Sequence, residues 1–185
     1  MVHTIVKLWY YPICRILLRQ IKGAENIPLK TPFIIISNHE KLIDPILVYY
    51  PILKKLNKKI HFLAKPTWWF LGDAICRKWA GCIPLFNSKK AFSEMKEYLK
   101  KGKIIGIFPE GYIKAKIRIL KPGAVRLALE TNTPILPIGI KSSYLPFNST
   151  INIGKLIYLK KNKKSFEEQI KLLMEEVYKL KDNIS

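Results

Sequence analysis

Two short polar clusters interrupt the apolar framework of the sequence and carry side chains suited to proton transfer. One runs Asn38-His39-Glu40-Lys41-Leu42-Ile43-Asp44-Pro45, the other Ile107-Phe108-Pro109-Glu110-Gly111-Tyr112. Imidazole changes charge nearest neutrality, so His39 can take a proton from an alcohol if its other ring nitrogen is held in place. A carboxylate can hold it. His39 and Asp44 are five positions apart, however, which on a continuous helix puts them about 140° from each other. Pairing therefore requires a turn between them. The same letters also fit a loop histidine followed by an aspartate that caps the helix opened by Pro45. In the second cluster Pro109 ends ladder donation and Gly111 permits a tight turn. Glu110 between them can orient a substrate hydroxyl or a basic neighbour, or simply mark a strand-to-loop junction.

The elements around these clusters must bring them together. Phe33 to Ser37 reads as a short apolar strand ending at Asn38, and Asp44-Pro45 opens a helix to about Leu56. Ile60 to Ala64 reads as a strand, Thr67 to about Ala80 as a helix, and Gly81 to Phe86 as a strand. Ser88 to Lys101 is a helix stopped by Gly102, and Lys103 to Phe108 an apolar strand. Pro122 to Glu130 is a helix, and Pro134 to Ile140 and Ile151 to Leu159 are strands. A last helix starts at the capping box Ser165 to Glu168 and is expected to bury Phe166, Ile170, Leu173, Val177 and Leu180. Strands separated by helices imply crossovers, hence an α/β fold with a mixed, largely parallel sheet flanked by helices. In such sheets ligands bind beyond the carboxyl ends of the strands, where both polar clusters fall.

The chain has 185 residues, enough for one domain with a real core, and its 49% hydrophobic and 25% charged content is that of a globular protein. Thirty-three Lys and Arg against thirteen Asp and Glu give a formal charge of +20. That excess suits an anionic partner, a lipid surface or a nucleic acid, although scattered solvated lysines give the same sum. Nucleic acid is not expected. The aromatics concentrate in Trp9 to Tyr11 and Trp68 to Phe70, stretches that read as apolar helix faces rather than exposed stacking platforms. Residues 1–22 form the expected amphipathic N-terminal segment, followed by an α/β domain over 23–185. On a helical wheel Lys7, Arg15, Arg19 and Lys22 fall within about 120° of one another. Trp9, Tyr10 and Tyr11 have the rings that settle at headgroup level, with a break at Pro12. The segment is expected to lie on a membrane surface through Lys7, Trp9, Tyr10, Arg15 and Arg19, or else to pack on its own domain. No small-residue cleavage site follows it, which argues against a signal peptide. Cys14, Cys76 and Cys82 read as reduced, partly buried thiols in a cytosol-facing protein, and no metal-ligand or nucleotide-cofactor motif occurs.

In order, Asn38-His39-x4-Asp44, Gly81 and Ile83, Phe108-Pro109-Glu110-Gly111, and Pro134-Ile135-Leu136-Pro137 resemble the motifs of the glycerolipid acyltransferase family. Its best-known members are the 1-acylglycerol-3-phosphate acyltransferases. Gly23 to Pro28, Lys65, and Leu120-Lys121-Pro122-Gly123-Ala124 are similar to further family segments, so the resemblance runs from about Gly23 to about Ile157. It implies metal-free and cofactor-free transfer of a fatty acyl group from an acyl thioester, acyl-CoA or acyl carrier protein, to the free hydroxyl of a lysophospholipid. The implied acceptor is 1-acylglycerol-3-phosphate, giving phosphatidate. His39 would be the base and Asp44 its orienting partner, with Glu110, Gly111, Lys65, Asn87 and Lys121 binding the acceptor at the cytoplasmic face of a membrane. Two departures stand out. Asn87 occupies the place of a phosphate-binding arginine, and Tyr112-Ile113 replaces a threonine-arginine pair. Lys89, Lys90 and Lys114 are the candidate replacements for the lost charge, and an acceptor lacking a phosphomonoester is the alternative.

Overall fold

Phe33 and the three isoleucines after it explain the layering. Ile34 and Ile36 pack on one face with Met95, Leu99, Val125 and Met174, while Phe33 and Ile35 pack on the other with Leu47, Val48 and Ile60. A strand buried on both sides belongs in the middle of a sheet covered by two helical layers. The computed structural model describes residues 4–65, 72–111, 113, 120–160 and 164–184. Its strands are β1 (Leu18–Lys22), β2 (Ile34–Ser37), β3 (Ile60–Ala64), β4 (Ile83–Pro84), β5 (Ile104–Ile107), β6 (Ile135–Lys141) and β7 (Ser149–Ile153). They form a sheet in the order β1-β7-β6-β2-β5-β3-β4. All neighbours are parallel except β6 and β7. The mixed, largely parallel α/β fold is as expected. Helices α1 (Thr4–Leu17) and α2 (Asp44–Leu56) cover one face; α3 (Ser88–Lys100), α4 (Gly123–Thr131) and α5 (Phe166–Asp182) cover the other.

This arrangement creates a crevice where it is needed. The chain leaves β2 through α2 on one face and leaves β5 through α4 on the opposite face. Because β2 and β5 are parallel neighbours, their following loops diverge and leave a gap at their carboxyl ends. His39 follows β2 and Glu110 follows β5.

Several expectations are corrected. The N-terminal helix stops at Leu17, and Leu18–Lys22 instead forms a strand in parallel pairing with β7, Ile21 opposite Ile151. The helical wheel cannot reveal this, because the pairing satisfies a β7 edge that comes from 130 residues later in the chain and would otherwise be open. Arg19 and Lys22 are thus not on the helix. Strand β7 starts at Ser149 and ends at Ile153, and only Ile157 bridges back to Ile135. Phe166 is 42% exposed rather than buried, since it is the first residue of α5. The expected helix over Thr67 to Ala80 lies partly outside the described residues, as do Trp68 to Phe70 altogether; its described end is a π-helical turn, Ala74–Trp79.

At Gly139 in β6 a Cβ would lie 2.3 Å from the Lys181 nitrogen, so only glycine lets the end of α5 rest on the sheet. Gly139→Ala should destabilise the protein by about 1–3 kcal/mol through overpacking against backbone. Urea unfolding checks this; an unchanged midpoint would mean that α5 is not docked there.

Candidate active site

The loop after β2 is stitched to both neighbouring strands before it turns. Asn38 is buried, and its amide donates to the Ile140 carbonyl at 2.8 Å and accepts from the Ile140 N–H at 2.8 Å. Side-chain bonds thus continue the β2–β6 pairing one step past Ser37. The His39 N–H then donates to Oε2 of Glu110 at 3.0 Å, tying the loop to the end of β5. Residues 40–43 form the turn that the His–Asp pairing requires. The Asp44 N–H donates to the Lys41 carbonyl at 3.1 Å, and the Lys41 N–H donates back to Asp44 Oδ2 at 2.8 Å.

Asp44 is not the helix cap. Ile43 holds that position and Asp44 is the first residue of α2, followed by Pro45. Its carboxylate instead reaches back into the loop. Oδ2 accepts from the N–H groups of Glu40 and Lys41 and lies 3.0 Å from His39 Nδ1. The Asp44 side chain is fully buried, whereas that of His39 is 17% exposed. This geometry places the proton on Nδ1 and leaves Nε2 as the free acceptor. The second oxygen of Asp44, Oδ1, is buried with no hydrogen-bond partner among the described residues.

The ring is also clamped from its face. Phe108 stacks on His39 with centroids 4.4 Å apart, and Phe62 stacks on Phe108 at 5.6 Å. Room for Phe62 comes from Gly106, where a Cβ would meet the phenyl ring at 2.4 Å.

Glu110 sits differently from a substrate-binding group. It is only 4% exposed; one oxygen takes the His39 N–H and the other accepts from the Tyr178 hydroxyl at 2.6 Å. Its place is to brace the loop. Sequence reasoning missed Tyr178 and also Lys181, whose ammonium pairs with Glu40 at 2.5 Å. Both lie on α5, where the buried stripe Ile170, Leu173, Met174 and Val177 continues into polar-tipped side chains. That continuation was the available signal.

His39 lies in the wall of a cavity of about 1460 Å³ whose lining is mostly apolar, including Phe62, Leu63, Ile75, Leu85 and Met95. Lys65, Lys89, Lys121 and Gly111 also line it, and among the described residues no carboxylate does. Lys121 donates its N–H to the Pro109 carbonyl at 3.0 Å, and its side chain passes over Gly111, which has a left-handed φ of 68°. Asn87 does not point at this space. Its side chain accepts from the Lys90 N–H and caps α3, and Lys90 is exposed away from the lining. Tyr112, Lys114, Lys116 and Arg118 lie outside the described residues.

The remaining polar groups are structural or inert. His61 Nδ1 donates to the Gly81 carbonyl at 2.9 Å, and burial pushes its pKa below the ordinary histidine value, keeping it neutral. Cys82 lines the cavity, but burial pushes its thiol up, away from thiolate. All three cysteines are free, and among the described residues no group of three His, Cys, Asp or Glu could hold a metal.

Fold and site together define an α/β protein with a hydrogen-bonded His–Asp pair at a sheet switch point, opening into an apolar, cation-fringed cavity. Comparison with known proteins makes this specific. The Acyltransferase family model matches residues 19–141, and the chain belongs to that family. It is 29% identical over 150 residues to the 1-acyl-sn-glycerol-3-phosphate acyltransferase of Borreliella burgdorferi, covering 75% of this chain and 58% of that protein. To the enzyme of the same name from Bacillus subtilis it is 29% identical over 128 residues, covering 64% and 60% respectively. The chain thus spans about three fifths of the length of these curated relatives. The crystal structure of the 1-acyl-sn-glycerophosphate acyltransferase PlsC from Thermotoga maritima superposes with a TM-score of 0.71 at 23% identity, covering 97% of this chain and 76% of that one. That likeness concerns the fold.

Tyr178→Phe removes a hydrogen bond to a buried carboxylate, which should cost about 1.5–3 kcal/mol of stability. Chemical denaturation measures this, and a loss below about 0.5 kcal/mol would show that the brace carries no energy.

Proposed function

We propose that this protein is an O-acyltransferase that moves a fatty acyl group from acyl-CoA or acyl carrier protein to the free hydroxyl of 1-acylglycerol-3-phosphate, giving phosphatidate. The observation that carries the reading is the His39–Asp44 pair, with Nδ1 held by a buried carboxylate at 3.0 Å in the wall of an apolar cavity. His39 Nε2 takes the hydroxyl proton as the alcohol oxygen attacks the thioester carbonyl. The tetrahedral intermediate then expels the thiolate, which recovers the proton from the imidazolium. One C–O bond forms, one C–S bond breaks, and the base is regenerated. No cofactor enters this sequence. Direct transfer accords with the raised thiol of Cys82, one of the two cysteines in the lining.

Acceptor class is supported by chemistry and by kinship. Lys65, Lys89 and Lys121 along the cavity give a phosphate several point charges, whereas Arg126, the arginine in the same lining, is paired with Glu130 at 2.7 Å. The relatives in Borreliella burgdorferi and Bacillus subtilis bear the name 1-acyl-sn-glycerol-3-phosphate acyltransferase. One observation favours a second reading, an acceptor without a phosphomonoester. Asn87, at the place of the usual arginine, spends its side chain on capping α3.

We place the protein on an anionic membrane at the cytoplasmic face, held there in part by α1. Among the described residues no helix is long and apolar enough to cross a membrane. The solvent side of α1 is apolar: Leu8, Trp9, Ile13 and Ile16 are exposed, while Tyr10, Cys14 and Leu17 face the domain. Tyr10 is therefore not a headgroup contact, since its hydroxyl donates to the Ile46 carbonyl and its ring packs against Tyr49 and Tyr50. Lys7 and Arg15 remain as the basic rim.

His39→Ala should lower acyl transfer by about 10²–10⁴-fold with the fold intact. An assay of both donors across several lysolipid headgroups checks this, and undiminished transfer would remove the mechanism. In the same assay Lys121→Ala should raise KM for a phosphate-bearing acceptor and leave KM for a neutral one unchanged. Equal effects on both acceptors would favour the second reading.

A further inference from the structure

The loop between β6 and β7 displays apolar side chains that folding alone does not require. Tyr144, Leu145 and Phe147 are each 58–65% exposed, yet the loop that carries them is firmly built. Buried Ser149 accepts from the Ser143 N–H at 2.9 Å and donates its hydroxyl hydrogen to the Ser143 carbonyl at 3.0 Å. The Ser143 hydroxyl oxygen accepts from the Leu145 N–H at 3.1 Å and the Asn148 amide at 3.4 Å. Phe147 sits at φ 52°, a left-handed conformation that bulky residues rarely occupy and that glycine would take at less cost.

The loop also touches both neighbours that matter. The Phe147 N–H donates to the Ile16 carbonyl of α1 at 2.7 Å, and the Lys41 ammonium lies 5.2 Å from the Tyr144 ring centre. On α1 the exposed Leu8, Trp9, Ile13 and Ile16 fall within about 140° of arc, so they form one face. Leu42 and Ile46, beside Lys41 and just after the base, are exposed and also line the cavity that holds His39. Loop, helix face and cavity mouth thus form one apolar surface with Lys41 and Arg15 among it, on a chain of charge +20.

We infer that the Tyr144–Phe147 loop is a second membrane contact, which with α1 seats the mouth of the cavity against an anionic lipid surface. The inference rests on the proposed action at a membrane and adds to it a second point of contact. One helix lets the domain roll about the helix axis; an adjoining contact off that axis fixes its orientation, so that an acyl chain can pass from bilayer to cavity without crossing water. Rigid apolar tips combined with basic charge suit that occupant: the tips enter the acyl boundary while the cations meet the headgroups.

The test is binding of the whole protein to phosphatidylcholine vesicles containing phosphatidylglycerol, measured by sedimentation. Leu145→Ser and Phe147→Gly should each weaken partitioning by about tenfold. Phe147→Gly suits the left-handed φ, and the unfolding midpoint of each variant separates lost binding from lost fold. Leu145→Trp should tighten binding, a gain that damage to the fold cannot imitate. Transfer to short-chain acceptors and donors dissolved as monomers should be unchanged in all three. Wild-type partitioning in the variants, together with a loss in Trp9→Ser, would overturn the inference while leaving the enzymatic reading untouched. Self-association abolished by the loop variants with vesicle binding intact would also overturn it. Because the readout is binding, absence of transferase activity would count against the proposed function alone.

Discussion

One oxygen atom, Oδ2 of Asp44, organises the site. It receives the N–H groups of Glu40 and Lys41 and faces His39 Nδ1, so a single buried carboxylate closes the turn, selects the imidazole tautomer and starts α2. Hydrogen bonds to a charged group contribute about 1.5–3 kcal/mol each, but burying the charge costs several kcal/mol. The two roughly offset, and Oδ1 is left without a partner. The cluster therefore contributes position more than stability, which is what the proposed role of His39 as a base requires.

Everything else that touches the loop restrains it from a different direction. Asn38 ties it to β6, Glu110 ties it to β5, and the Phe62–Phe108 stack holds the ring from its face. One of these restraints traces back to α5, through Tyr178 on Glu110, and α5 adds another in Lys181 on Glu40. The helix can reach because Gly139 lets it lie on β6. A segment beyond the matched family region thus supports the residues that define the family. The apolar outer face of α1 and the β6–β7 loop meet at one edge of the sheet, where the Phe147 N–H donates to the Ile16 carbonyl.

Much of this was legible in the sequence, because local chemistry decided it. Asp44-Pro45 marks the start of α2, the isoleucine runs mark β2 and β5, and Ser165 to Glu168 is the capping box at the head of α5. The His39–Asp44 pairing was legible only as one of two options, since a turn cannot be read from spacing alone. What escaped notice depends on distant partners. Leu18–Lys22 has a helical pattern, yet it forms a strand because β7 offers an edge. Glu110 looks exposed at a strand end, but the Tyr178 hydroxyl meets it from 68 positions away. Asn87 carried a readable cap signal just before the α3 pattern, which its motif position obscured.

The central claim is that Asp44 holds His39 with the proton on Nδ1 and the lone pair on Nε2. Nitrogen-15 spectra of the protein labelled at histidine, recorded at alkaline pH, test it directly. The His39 signals should show a protonated Nδ1 and an unprotonated Nε2, and Asp44→Ala should return them to the mixture of a free imidazole. A neutral His39 carrying its proton on Nε2 in the wild-type protein would contradict the account.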